Sequence, residues 1–122
     1  MGKLIQDYKV LLVDDNSDFQ HLFKVYARKM SFTVMMASNG KVAVSDLARI
    51  RFDSIILDFM LPDLNGAEIF KSVRQDASIK KNRETPVIVV SAVTIPSYKL
   101  RELFVSGMKL FCQRHLDCAG FL

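Results

Sequence analysis

A chain of 122 residues, half of them apolar and a quarter charged, is long enough to bury one core and too hydrophobic to stay disordered; it reads as a single domain over 1–122. No apolar run approaches the length of a membrane span, and Met1-Gly2-Lys3-Leu4-Ile5-Gln6 matches neither a signal peptide nor a myristoylation pattern. The net charge of +4 comes from scattered Lys and Arg and defines no nucleic-acid face, while Cys112 and Cys118 lack C-x-x-C or zinc spacing and read as reduced thiols of a cytoplasmic protein.

The first element is Lys9-Val10-Leu11-Leu12-Val13, an apolar run with the look of a buried parallel strand, which meets Asp14-Asp15. Asn16-Ser17-Asp18 then opens a helix, with small polar residues to cap it and an acid in its first turn. Phe19, Leu22, Phe23, Tyr26, Ala27 and Met30 recur at helical spacing and form one core-facing stripe. Residues 32–37 make a second strand. Ser38-Asn39-Gly40 is a turn in which Asn39 or Gly40 can take a left-handed backbone. A helix over 42–50 points Ala43, Leu47 and Ile50 inward.

The third strand, Ile55-Ile56-Leu57, runs straight into Asp58, and a loop with Pro62 and Gly66 follows. Asn65-Gly66 alone suits a hairpin, but 67–74 reads as a helix with Ile69, Phe70 and Val73 on one face, so the loop joins strand to helix. The polar stretch 77–85, with Lys80-Lys81-Asn82-Arg83, reads as a solvated loop. Pro86-Val87-Ile88-Val89-Val90 is the fourth strand and ends in Ser91-Ala92. Pro96-Ser97 opens a helix with Tyr98, Leu100, Leu103 and Phe104 apolar, and Gly107 closes it. Residues 109–113 form a fifth strand with Cys112 in the core. Residues 115–122, weakened by Gly120, make barely two helical turns. Strand and helix alternate throughout, which implies a parallel sheet with helices on both faces.

Three of these strands end in chemistry: two acids, one acid and one hydroxyl. Side by side and parallel, they gather Asp14, Asp15, Asp58 and Ser91 at the sheet edge where open α/β folds keep their ligand sites. Three carboxylates at one point repel one another, and a hard cation such as Mg²⁺, which takes oxygen ligands and keeps waters, offsets that repulsion. A carboxylate beside Mg²⁺ can attack phosphorus and form an aspartyl-phosphate. Singly, each residue also reads as a helix cap, a turn acid or a strand-end hydroxyl; their joint placement favours the site. His21 and His115 have no ligand spacing.

On Asp14-Asp15, on Asp58 with Met60, Pro62 and Gly66, and on Ser91-Ala92, the chain resembles the receiver domain of two-component response regulators from about residue 8 to residue 114. The resemblance implies a flavodoxin-like, doubly wound five-stranded parallel sheet in the order 2-1-3-4-5. It implies that Asp58 accepts a phosphoryl group from a histidine kinase or phosphotransfer protein. Mg²⁺ would be held by Asp14, Asp15, Asp58 and the backbone carbonyl of Met60, with Asp15 the more direct ligand and Asp14 acting largely through water. Ser91 would bond one phosphoryl oxygen and shift the surface of the fourth helix and fifth strand. The chain departs from the family at Arg114-His115, where Lys-Pro is usual. It departs again at Phe111, which lacks the hydroxyl of the switch tyrosine, and at Asn65, where an acid is common. Arg114 keeps the charge of the family's lysine but is longer and planar.

The expected role is a cytoplasmic switch, not an enzyme, without membrane attachment or direct nucleic-acid binding. Its alternative is a degenerate receiver that binds partners without a phosphoryl cycle. A fifth helix that is short or truncated would leave apolar surface, a reason to expect a partner, a homodimer or an output domain beyond Leu122. An Asp-nucleophile phosphatase of the haloacid dehalogenase type would need a second Asp where Met60 stands. A flavin site would need glycine- and hydroxyl-rich strand-end loops instead of acidic ones.

Overall fold

The computed structural model describes residues 8–59, 61, 63, 66–91, 96–105, 108 and 110–113. Met60, Pro62, Asn65, Ala92, Gly107, Lys109, Arg114 and everything after it, including His115, Cys118 and any fifth helix, therefore lie outside the described residues.

Five strands form one sheet: β1 (Lys9–Val13), β2 (Thr33–Ala37), β3 (Ser54–Asp58), β4 (Val87–Ser91) and β5 (Leu110–Gln113). Their order is β2-β1-β3-β4-β5, and every neighbouring pair is parallel. Between them run α1 (Ser17–Met30), α2 (Gly40–Arg49), α3 (Gly66–Gln75) and α4 (Ser97–Val105). This is the doubly wound order expected from the resemblance. Register is tight: Val13 pairs with Ala37 on one side and Leu57 on the other, and Asp58 pairs with Val90.

The sheet is covered on both faces, as a parallel sheet must be. Leu11 and Val13 join the main core cluster with Ala43 and Leu47 of α2, Ile69, Phe70 and Val73 of α3, and Ile55, Leu57, Val87 and Val89 of the neighbouring strands. Leu12 alternates to the opposite face and is equally buried. Burying a side chain such as Leu57 contributes roughly 1.5–3 kcal/mol each. These central strands are what hold the acidic edge in place.

Asn16 caps α1, its Oδ1 accepting from the Phe19 amide at 2.9 Å. Of the expected apolar stripe, Phe19 and Ala27 are buried, and Phe23 packs between two rings, tilted against Phe19 and edge-on to Phe32. Tyr26 and Met30 instead stand 41% and 43% exposed. The row 19–23–27 faces the sheet, and the parallel row 22–26–30 falls at its margin. Within α4, Leu103 is buried, whereas Tyr98 and Phe104 lie exposed together with Val105, so its expected apolar face is only half engaged.

Two local expectations are overturned. Asn39 is extended (φ −154°) and caps α2 through its side chain, while Gly40 is the first helical residue. Among the described residues the left-handed non-glycine position is Ser31 (φ 63°), which ends α1 and donates its amide to the Ala27 and Arg28 carbonyls. The stretch 77–85 is not a solvated loop throughout: Ala77–Asn82 is a 3-10 helix with Ile79 and Asn82 fully buried. The Asn82 amide donates to the carbonyls of Leu47 (2.8 Å) and Ile50 (2.7 Å). Its oxygen accepts from the Phe52 amide (2.9 Å) and the Thr85 hydroxyl (3.0 Å). One side chain thus ties the end of α2 to the start of β3. Lysines around it mask this in the sequence.

Candidate functional site

The C-terminal ends of β1 and β3 lie side by side at the point where the chain reverses its direction across the sheet. In an α/β sheet of this order, the crevice outside those ends is the topological switch point where ligands bind. Asp14 and Asp15 follow β1 directly, and Asp58 is the last residue of β3. Ligand oxygens from all three carboxylates lie within 4.8 Å of one another. Asp14 and Asp58 are buried, at 1% and 5% exposure, and Asp15 is exposed.

The local chain holds these acids by specific bonds. The Asp14 amide donates to the Ala37 carbonyl at 3.0 Å, extending the β1–β2 ladder by one residue. Its Oδ1 accepts from the Asn16 amide at 2.8 Å, an Asx turn that sends the chain into α1. Gln20 Nε2, from the first turns of α1, donates to the Asp14 carbonyl (2.5 Å) and to the Ser38 hydroxyl (3.0 Å). Sequence reasoning passed over Gln20, because a polar residue on a helix face carries no signal until the loop it reaches is known.

On the other side, the Phe59 amide donates to the Val90 carbonyl at 3.1 Å, so the pairing of β3 with β4 continues past Asp58. The Phe59 carbonyl accepts from the Gly66 amide at 2.6 Å and closes the loop between them. Gly66 is buried at the start of α3. A Cβ there would stand 2.8 Å from the Phe59 Cα and 2.9 Å from the Asp58 carbonyl oxygen, so the close approach demands glycine. Ser91 is fully buried at the end of β4, one residue beyond the partner of Asp58.

The structure thus brings Asp14, Asp15 and Asp58 together and sets Ser91 on the adjacent strand end. Met60 and Arg114 lie outside the described residues. The donor set is all oxygen, which suits a hard divalent cation of the Mg²⁺ kind. A doubly wound parallel sheet with such a cluster at its switch point defines the class: an α/β domain of flavodoxin-like topology with a carboxylate cluster that could hold a metal ion.

Comparison with known proteins carries this to a family. The family model described as the response regulator receiver domain matches residues 10–117, and the chain belongs to that family, the receiver domains of two-component signalling systems. It is 31% identical over 84 residues to the transcriptional regulatory protein SrrA of Staphylococcus aureus, a match covering 69% of this chain and 32% of that protein. The chain thus spans about a third of the length of the curated relatives it matches. Among solved structures it resembles the receiver domain of Francisella response regulator 1452, with 28% identity and a TM-score of 0.76 over 88% of this chain and 84% of that one. It also resembles the receiver domain of sensor histidine kinase PA1611 from Pseudomonas aeruginosa, whose active-site cleft coordinates a magnesium ion. The identity there is 26% and the TM-score 0.75, over 94% of this chain and 91% of that one. Receiver domains are signalling modules. Among the described residues no helix is long and apolar enough to cross a membrane.

Proposed function

We propose that the chain is a phosphorylatable receiver in which Asp58 accepts a phosphoryl group at a Mg²⁺ site. The observation that carries this reading is the convergence of Asp14, Asp15 and Asp58 within 4.8 Å at the switch point of the sheet. Asp14, Asp15 and Asp58 would hold the cation; by the resemblance Asp15, which is exposed, would be the more direct ligand and Asp14, which is buried, would act largely through water. Met60 adds a backbone carbonyl and Arg114 a positive charge at the position of the family's lysine; both assignments rest on the resemblance. The magnesium in the PA1611 receiver supports the choice of metal.

When bound, Mg²⁺ neutralises the acids and the phosphoryl oxygens that would otherwise repel one another. An Asp58 carboxylate oxygen attacks the phosphorus of a phosphohistidine on the donor protein. The new P–O bond forms as the P–N bond breaks, and the electron pair leaves on the imidazole nitrogen. The Ser91 hydroxyl donates to one phosphoryl oxygen and draws in the segment after β4. That segment leads to α4, so occupancy of the site shifts the population of α4 and β5 surfaces. The donor is a histidine kinase or phosphotransfer protein in the cytoplasm. The name of the SrrA relative suits an output in transcription, reached through a partner or output domain and not by nucleic-acid binding of this domain itself.

The test is intact mass after incubation with Mg²⁺ and acetyl phosphate. The expected result is one added phosphoryl group in the wild type and none in Asp58→Asn. Equal labelling of both proteins removes Asp58 from its role. No labelling and no Mg²⁺ affinity in the wild type turns the reading to a degenerate interaction module.

A further inference from the structure

The cations of this chain look scattered in the sequence, but folding gathers one group of them. Arg49 ends α2 and Arg51 leads into β3, while Lys80, Lys81 and Arg83 lie on and just after the 3-10 helix. Each of these side chains is exposed. The Asn82 amide joins the two stretches through the Leu47 and Ile50 carbonyls, and Lys81 Nζ donates to the Arg49 carbonyl at 3.2 Å. Arg83 is held from the other side, its carbonyl accepting from the Arg74 guanidinium at 2.7 Å. The group sits where β3 and β4 begin, at the end of the sheet opposite Asp14, Asp15 and Asp58.

The acids at this end are already engaged. Asp46 is buried and accepts from the Arg49 guanidinium at 2.7 Å. Asp53 Oδ2 accepts from the Lys9 amide at 2.8 Å, and Asp76 Oδ1 accepts from the Ser78 amide and hydroxyl. Glu84 acts on Arg74, whose pKa is lowered by burial and raised by that carboxylate. Among the described residues, no carboxylate forms an ion pair with Arg51, Lys80, Lys81 or Arg83. Positive charge is thus presented to solvent on a firm frame, fixed by the fully buried Asn82 and by the Asp76 cap. A fixed array of like charges repels itself and favours a surface of opposite sign. Each exposed charge attracts only weakly across water, so the effect needs several acting together.

The chemistry of the patch selects the partner. Arginine forks suit carboxylates and phosphates alike. Single nucleic-acid strands, however, are held by rings that stack on bases between the cations. Here the ring within these stretches, Phe52, is buried at 1% exposure, and Ile79 beside it is fully buried. Nothing is offered for stacking or for insertion among lipid chains. We infer that this end of the domain is a docking surface for an acidic, carboxylate-rich segment of a partner protein. It shares no residue with the carboxylate cluster at the far end of the sheet, so it works whether or not Asp58 is phosphorylated and does not rest on the Mg²⁺ reading. The frame around Asn82 holds the cations in place beforehand, which lowers the ordering cost of docking.

The test measures binding of a fluorescein-labelled hexaglutamate peptide by fluorescence anisotropy. It compares the wild type, a patch variant (Arg51→Glu with Lys80→Glu and Arg83→Glu) and a control (Lys24→Glu with Lys41→Glu and Lys71→Glu). The control reverses exposed charges on α1, α2 and α3 and has the same net charge as the patch variant. Urea denaturation checks that both variants fold, and glutamine at the same three patch positions serves in place of glutamate if reversal unfolds the protein. The patch variant should bind roughly tenfold more weakly or worse, and the control within about threefold of the wild type. Equal loss in patch variant and control makes the attraction one of net charge and overturns the docking surface, as does a wild type that does not bind the peptide. Tighter, patch-dependent binding to a single-stranded oligonucleotide or to phosphatidylserine vesicles overturns the acidic protein as the partner.

Discussion

Replacing Gly66 with alanine sets two effects against each other, and the close approach of the backbone decides which wins. Alanine in place of glycine favours a helix by up to about 1 kcal/mol, and it also narrows the unfolded ensemble. Against this, the added Cβ would meet the Phe59 Cα at 2.8 Å, the Asp58 carbonyl oxygen at 2.9 Å and the Phe59 carbonyl oxygen at 3.3 Å, where ordinary contact begins near 3.4 Å. All three are backbone atoms, so no side chain can swing aside. Either α3 or the end of β3 must move. Forced overpacking of this kind costs about 1–3 kcal/mol. Gly66 is the first residue of α3, where the propensity gain is smallest, so the net effect is a loss of roughly 1–2 kcal/mol. The displaced atoms belong to Asp58 and its neighbour, so acetyl phosphate labelling should slow as well. Urea denaturation gives the first quantity as a fall in midpoint at constant slope. Intact-mass time courses give the second. A Gly66→Ala protein as stable as the wild type and labelled at the same rate would refute the close-approach argument.

Asn82→Ala should destabilise the fold by about 2–4 kcal/mol, because it strands the buried Phe52 amide and the Leu47 and Ile50 carbonyls. A urea midpoint equivalent to a loss below about 1 kcal/mol would show that water or a rearranged 3-10 helix replaces those bonds. Asp76 caps the 3-10 helix, and hydrogen bonds from the Ser78 hydroxyl (2.7 Å) and amide (2.9 Å) hold its carboxyl below the usual carboxylate range. A depressed folded value means that its contribution is complete above the unfolded pKa, near 3.9, and disappears as pH falls through the lower folded value. The difference in urea midpoint between the wild type and Asp76→Ala should therefore be constant from pH 7 to about pH 5 and shrink below about pH 4. A difference that stays level into the acid range would rule out the charged cap.

The strand-and-helix alternation was legible in the chain because each apolar run ends sharply in polar residues. β1 and β3 each carry acid where the apolar run stops, so the candidate site could be read as a set of strand ends before any geometry was known. The family resemblance rested on those same residues, and the family match and sheet order agree with it. What escaped was every residue whose part depends on a distant backbone. Asn82 sits among lysines and looks solvated, yet its amide fills a gap between α2 and β3. Gly66 reads as a turn glycine, yet it is demanded by the approach of α3 to the loop after Asp58.

Local chemistry by itself determined the order of elements, the burial of the central strands and the placing of Asp14, Asp15, Asp58 and Ser91 at strand ends, because hydrophobic periodicity and turn residues act over a few positions. Only the tertiary structure decided that the three acids meet within 4.8 Å, that Tyr26 and Met30 fall outside the core stripe, and that Asp63 reaches α2. Those outcomes depend on strand register and on helix rotation about the helix axis. Packing of the whole core sets both, and no short stretch of sequence contains that information.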